Sequence, residues 1–231
     1  MSETLILFDI DGTLIRTHGA GVSGFVEAGI RVFGEDFSLD DMPLGGQLDP
    51  LILERALGRL GMVPDDVNLR AFRHHYHECL ERLFKSGNHE SIAMPGVHEL
   101  ISQLESHAHF DLGLLTGNLA ETGELKLTAA GIEIERFCIH AWGDDGESRD
   151  HLPPIALERW LEHRGIDRDF EHTVIIGDTI HDVQCAKANG CRVLAVCTGA
   201  DDRGMLEKAG ADRVVDDLSD TSDIMNWLLK S

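Results

Sequence analysis

Short apolar runs that end in aspartate, threonine or glycine recur along this chain, and helical periodicity fills much of the space between them. Leu5–Phe8 is the first such run, with the length and composition of a buried strand. It leads into Asp9-Ile10-Asp11-Gly12-Thr13, where Gly12 lets the chain leave sharply. From Val22 to about Phe84 the period is helical. Phe25, Ala28, Gly29, Val32 and Phe33 share one face. Asp49 is placed to cap a second helix through Leu60, and Pro64-Asp65-Asp66 opens a third through Phe72, Tyr76, Leu80 and Leu83. The outer face of that third helix would carry Arg73, His74, His77 and Glu81. No clear strand falls in this block.

Beyond Pro95 strand and helix alternate. Helices are expected over Val97–Leu104, Glu121–Ala130, Pro154–Arg164, Ile180–Asn189, Asp201–Ala209 and Asp223–Leu229. Strands are expected over Phe110–Leu115, Phe137–Trp142, Thr173–Ile176, Arg192–Cys197 and Arg213–Val215. Such alternation predicts an α/β fold, a Rossmann-like parallel sheet with helices on both faces. The helical block at 17–91 would be an inserted, all-helical cap domain, and 1–16 with 92–231 a discontinuous catalytic core. In open sheets of this kind the ligand lies beyond the carboxyl ends of the strands.

Composition narrows the partners. With 42% hydrophobic and 26% charged residues, the chain is ordinary for a globular protein. A net charge of −21 argues against nucleic acid or an anionic membrane as the main partner. No apolar stretch approaches the ~20 residues of a membrane span, and the start, Met-Ser-Glu-Thr-Leu, has no basic or long apolar region of a signal peptide. The cysteines, Cys79, Cys138, Cys185, Cys191 and Cys197, are odd in number and form no C-x-x-C pair. Reduced thiols in a cytoplasmic protein, a monomer or homodimer, are the expectation.

The polar residues at the strand ends carry the candidate chemistry. Two carboxylates as close as Asp9 and Asp11 need a shared proton, a basic group or a metal, although Asp and Gly are also ordinary turn residues. Phe110–Leu115 runs into Thr116-Gly117-Asn118, where a hydroxyl and backbone N–H groups before a helix suit a phosphate oxygen, or an ordinary helix cap. Thr173–Ile176 runs into Gly177-Asp178-Thr179-Ile180-His181-Asp182. Asp178 is a candidate ligand for a hard cation, with Asp182 one helical turn on in support. Arg149, before a proline-led helix, supplies a permanent cation.

These four motifs, in this order, resemble the haloacid dehalogenase superfamily, in particular its phosphatases with a helical cap after the first strand, the phosphoglycolate phosphatase and β-phosphoglucomutase-like branch. The resemblance spans essentially the whole chain. It implies a Mg²⁺-dependent phosphatase acting on a small phosphorylated metabolite, a phosphoglycolate-like or sugar phosphate ester, through an aspartyl-phosphate. Asp9 would be the nucleophile and a metal ligand. Asp11 would be the general acid/base, its carbonyl also on the metal. Thr116, Gly117 and Asn118 would hold the phosphate, Asp178 would ligate the metal, and Asp182 would support it. The third motif usually carries a Lys. Here Arg149 stands in that place, in R-D-H-L-P-P, with Lys126 on the helix after Thr116 as the alternative cation.

Asp11 and Asp178 argue against a haloacid dehalogenase, which needs neither. A phosphonate hydrolase would use a cap lysine, and Lys85 at the edge of the cap is the only one. A β-phosphoglucomutase-like mutase shares all four motifs. Arg16 and His18 in the connecting segment are expected on solvated surface, and Gly45-Gly46-Gln47 as a plain turn in preference to a specificity loop. A metal-binding or interaction module around His74, His75 and His77 lacks a carboxylate or cysteine that completes a set.

Overall fold

The computed structural model describes residues 4–87, 89–165 and 170–230. Its strands are β1 (Thr4–Phe8), β2 (Ile15–Arg16), β3 (Ile92–Ala93), β4 (Phe110–Leu115), β5 (Ile139–Ala141), β6 (Thr173–Gly177), β7 (Arg192–Val196) and β8 (Arg213–Val215). Its helices are α1 (Ala20–Phe33), α2 (Asp49–Arg59), α3 (Asp66–Lys85), α4 (Val97–Glu105), α5 (Ala120–Ala129), α6 (Leu152–Arg164), α7 (Ile180–Ala188), α8 (Arg203–Ala209) and α9 (Thr221–Leu228).

Six strands form one parallel sheet in the order β5-β4-β1-β6-β7-β8. Side chains alternate across it with the two-residue strand period. Ile6, Phe8, Val174 and Ile176 enter a core built with α4, α5 and α9. Leu5, Leu7, Ile175 and Val193 enter the opposite one, built with α6, α7 and α8. Burial on both faces explains why these strands are continuously apolar in sequence. The expected α/β architecture is therefore present.

The helical block packs around a third cluster of its own. Phe25 meets Phe72 and Tyr76 edge-on, with ring centroids 4.8 and 5.2 Å apart. Gly29 is required there, because a Cβ would enter the Phe37 ring. The chain leaves β1 and returns through a small antiparallel ribbon, Ile15 pairing with Ala93 and Arg16 with Ile92. Neither two-residue strand was visible as a pattern. Asp49 does not cap its own helix: it is the first residue of α2, Leu48 holds the cap position, and Pro50 follows in the first turn. By contrast Asp65 caps α3 as expected, accepting from Asn68 N.

Candidate active site

Three neighbouring strands, β4, β1 and β6, end on the same edge of the sheet. Their next residues are Thr116, Asp9 and Asp178, so adjacency in the sheet brings Asp9 beside two positions each more than 100 residues further along the chain. All three are buried beneath a cleft of about 290 Å³ between the sheet edge and the helical block.

Asp9 and Asp178, with Asp182, place carboxylate oxygens within 4.8 Å of one another. Gly12 makes this packing possible. Its φ is +86°, and a Cβ would lie 2.5 Å from Asp178 Oδ2. Thr13 Oγ1 donates to Asp178 Oδ1 at 2.9 Å. Burial raises the Asp9 carboxyl to about 6, with Arg149 pulling against it and Asp182 adding to it. Burial, then Asp9 and Asp182, push Asp178 well above the usual carboxylate range. A buried, all-oxygen, net-negative cluster is the donor set that a hard divalent cation satisfies. Asp9 and Asp178 each keep one oxygen outside their pairings with Arg149 and Thr13. Asp182 is committed elsewhere: Thr179 N and Oγ1 bond its Oδ2 at 3.0 and 2.7 Å in a capping box for α7, and Arg149 takes its Oδ1 at 2.5 Å.

The two candidate cations serve different aspartates. Arg149 is buried in a short 3₁₀ turn before α6, and its Nη2 lies 3.2 Å from Asp9 Oδ1 as well as on Asp182. Lys126, also buried, donates from Nζ to Asp11 Oδ2 at 2.7 Å and to Asn118 Oδ1 at 2.5 Å. Asn118 Nδ2 bridges Asp11 Oδ2 at 2.9 Å and Thr116 Oγ1 at 2.8 Å. The Asn118 side chain is thus engaged as well as its backbone. Arg149 reaches Asp9 itself, whereas Lys126 fixes the orientation of Asp11.

Gly45-Gly46-Gln47 is a turn as expected, closed by Gln47 N–H on Leu44 O at 3.2 Å, but it is not only a turn. All three residues line the cleft and dock on the core. Arg149 Nη1 donates to Gly46 O at 3.2 Å, Gln47 Nε2 lies 2.9 Å from His181 Nε2, and a Cβ on Gly117 would overlap Gln47 O. Asp49 continues the docking: its N–H donates to Gly117 O at 2.7 Å, and its Oδ2 accepts the Leu119 N–H at 3.2 Å, the cap position of α5. Sequence reading missed Asp49 as a residue of the cleft and missed the contact between Gln47 and His181. The partners on the core, Gly117, Leu119 and His181, lie 68 or more positions away, and the only local signal was a Gly-Gly-rich segment before a helix.

Other expectations resolve simply. Arg16 and His18 do not line the cleft, and Arg16 Nη2 donates to Thr198 O at 2.9 Å on the surface. Lys85 pairs with Glu81 in solvent at 2.8 Å. Arg73 is half-buried rather than free, clamping α3 to Glu121 and Asp144 at 2.6 Å each. Among the histidines, His74 and His75 gather around Glu78, at 3.3 and 2.9 Å; His77 is not part of the group. A carboxylate therefore does join this set, but Arg31 lies 3.5 Å from it and the face is solvated.

Comparison with known proteins identifies the family. The family model for haloacid dehalogenase-like hydrolases matches residues 6–187. The chain belongs to that family, in its phosphatase branch. Pyrophosphatase PpaX of Oceanobacillus iheyensis is 24% identical over 222 residues, which span 95% of each chain. Among solved structures, CbbY from Rhodobacter sphaeroides in complex with phosphate superposes with a TM-score of 0.73 at 25% identity, covering 95% of this chain and 96% of that one. A hydrolase from Pseudomonas syringae gives 0.70 at 24% identity, covering 98% and 99%.

Proposed function

We propose that this protein is a Mg²⁺-dependent phosphatase that hydrolyses a small phosphate monoester through an aspartyl-phosphate on Asp9. The observation that carries the reading is the convergence of Asp9, Asp178 and Arg149 below the cleft, all buried, with the guanidinium on the Asp9 carboxylate. Mg²⁺, held by Asp9, Asp178 and the Asp11 carbonyl, would supply charge neutralisation of the phosphoryl oxygens. Arg149 and the backbone at Thr116–Asn118 hold and orient the same oxygens, since phosphoryl transfer depends mainly on positioning and charge. Asp9 attacks phosphorus in line and the ester oxygen departs. Asp11 delivers a proton to that oxygen and later removes one from the hydrolytic water. With its Oδ2 held by Lys126 and Asn118, the proton moves through Oδ1. Asp182 acts through Arg149.

We read 17–91 as a cap over a core formed by 1–16 and 92–231. The docked 45–49 segment is the part that excludes water and meets the substrate. Five cysteines without a disulfide support a cytoplasmic location. The PpaX relative makes a phosphoanhydride the second substrate to test.

The test is phosphate release from p-nitrophenyl phosphate with Mg²⁺ and with a chelator, for wild type and Asp9→Asn. Release should require Mg²⁺ and fall by about 10³-fold or more in the variant, and beryllium fluoride should be trapped on Asp9. Near-normal activity in Asp9→Asn would overturn the assignment. Dependence on an added sugar bisphosphate would make the enzyme a mutase.

A further inference from the structure

The cleft has two chemically different halves. Below lie Asp9, Asp178, Thr116 and Arg149; above, where a leaving group would sit, the walls are Val22, Phe25, Leu39, Leu44, Ile52 and Tyr76. The same cleft is also lined by Asp49, Lys126 and Asp11. Lys126 is already paired with Asp11, and Arg149 with Asp9 and Asp182. Among the described residues, neither cation lining the cleft forms an ion pair with Asp49, which feels Lys126 only at longer range.

Asp49 is also held in place as an anion. It occupies the first turn of α2, and its Oδ2 receives the cap N–H of α5, so two helix N-termini face it. Burial moves its carboxyl up to about 6, with Lys126 pulling the other way, which leaves it ionised at neutral pH.

We propose that Asp49 is a specificity-determining residue that restricts this site to phosphate monoesters whose leaving group carries no negative charge. A second phosphate or a carboxylate on the leaving group would meet the Asp49 carboxylate in an apolar enclosure, where like charges are strongly repulsive. A neutral polyol meets complementary groups instead. Lys126 retains a third N–H beyond those given to Asp11 and Asn118, and Asp49 retains Oδ1 as an acceptor. The proposal rests on the phosphatase reading for its choice of ligands. It selects polyol and sugar phosphates over phosphoglycolate-like acids and pyrophosphate.

The test uses a pair of esters that differ in one group, sn-glycerol 3-phosphate and 3-phosphoglycerate. Their binding to Asp9→Asn and to Asp9→Asn/Asp49→Asn is measured by calorimetry with Mg²⁺. Asparagine keeps an acceptor for the Leu119 N–H, removes the charge and turns the second oxygen into an NH2 donor that a polyol hydroxyl can still meet. Glycerol 3-phosphate should bind at least about tenfold more tightly than phosphoglycerate to the first protein, and less than about threefold more tightly to the second. Equal or inverted preference in the first protein, a preference unchanged by Asp49→Asn, or no binding of either ester overturns the proposal. Turnover by wild type is scored separately. The binding preference without turnover of either ester would sink the phosphatase reading and leave the charge selection standing.

Discussion

Asp49 shows how one side chain acquires a second role from a distant neighbour. Its sequence context, directly before a proline and a helical run, reads as a local cap, yet its acceptor is spent on Leu119 at the head of another helix. That placement has a pH consequence. The folded protein holds a proton on Asp49 up to about 6 against an ordinary 3.8. Between those values the folded state binds more protons than the unfolded state, so this group lowers stability as pH rises. Asp49→Asn should remove that loss. In metal-free protein, urea unfolding at about pH 4.5 and pH 7.5 should show the variant gaining on wild type by about 2 kcal/mol at the higher pH. An equal difference at both values would contradict the raised carboxyl.

The elements themselves were largely legible, because hydrophobic period is a local property. Phe110–Leu115 and Arg213–Val215 have the bounds expected from pattern alone. The strand expected over Phe137–Trp142 shrinks to Ile139–Ala141, at the sheet edge, where Trp142 N turns away to Asp145. The motif residues were legible too, since each follows an apolar run directly. What could not be read was the docking of the 45–49 segment, which depends on backbone approaching backbone. Gly117 marks the tightest point: any Cβ would overlap Gln47 O. Gly117→Ala should therefore push the segment off the core. We expect a stability loss of only about 1–3 kcal/mol with a fall in kcat/KM of about 10²-fold. Thermal melts and steady-state kinetics on one preparation separate the two effects. Unaltered kinetics would mean that the segment need not sit where it does.

At the scale of the whole molecule, charge works against the reaction proposed here. A net charge of −21 repels a phosphorylated dianion before it reaches Arg149. Added salt screens that repulsion over a Debye length of about 10 Å at 0.1 M. Raising NaCl from about 20 to about 200 mM at fixed free Mg²⁺ should increase kcat/KM about twofold or more. A decrease would mean that local positive potential at the cleft outweighs the global field.

The position of β1 has a further consequence for how the protein is made. This strand is made before the rest of its sheet, and its two sheet neighbours are β4 and β6, which begin at residues 110 and 173. The aromatic cluster of α1 to α3 can be complete in the nascent chain before either arrives. At bacterial or eukaryotic synthesis rates β1 waits roughly 10–35 s for β6. Until β4 emerges, about two thirds of the way through that wait, the apolar strand leading to Asp9 has no sheet partner. The long sequence separation of its contacts makes sheet closure the late, slow event in folding, after the helical insert has condensed.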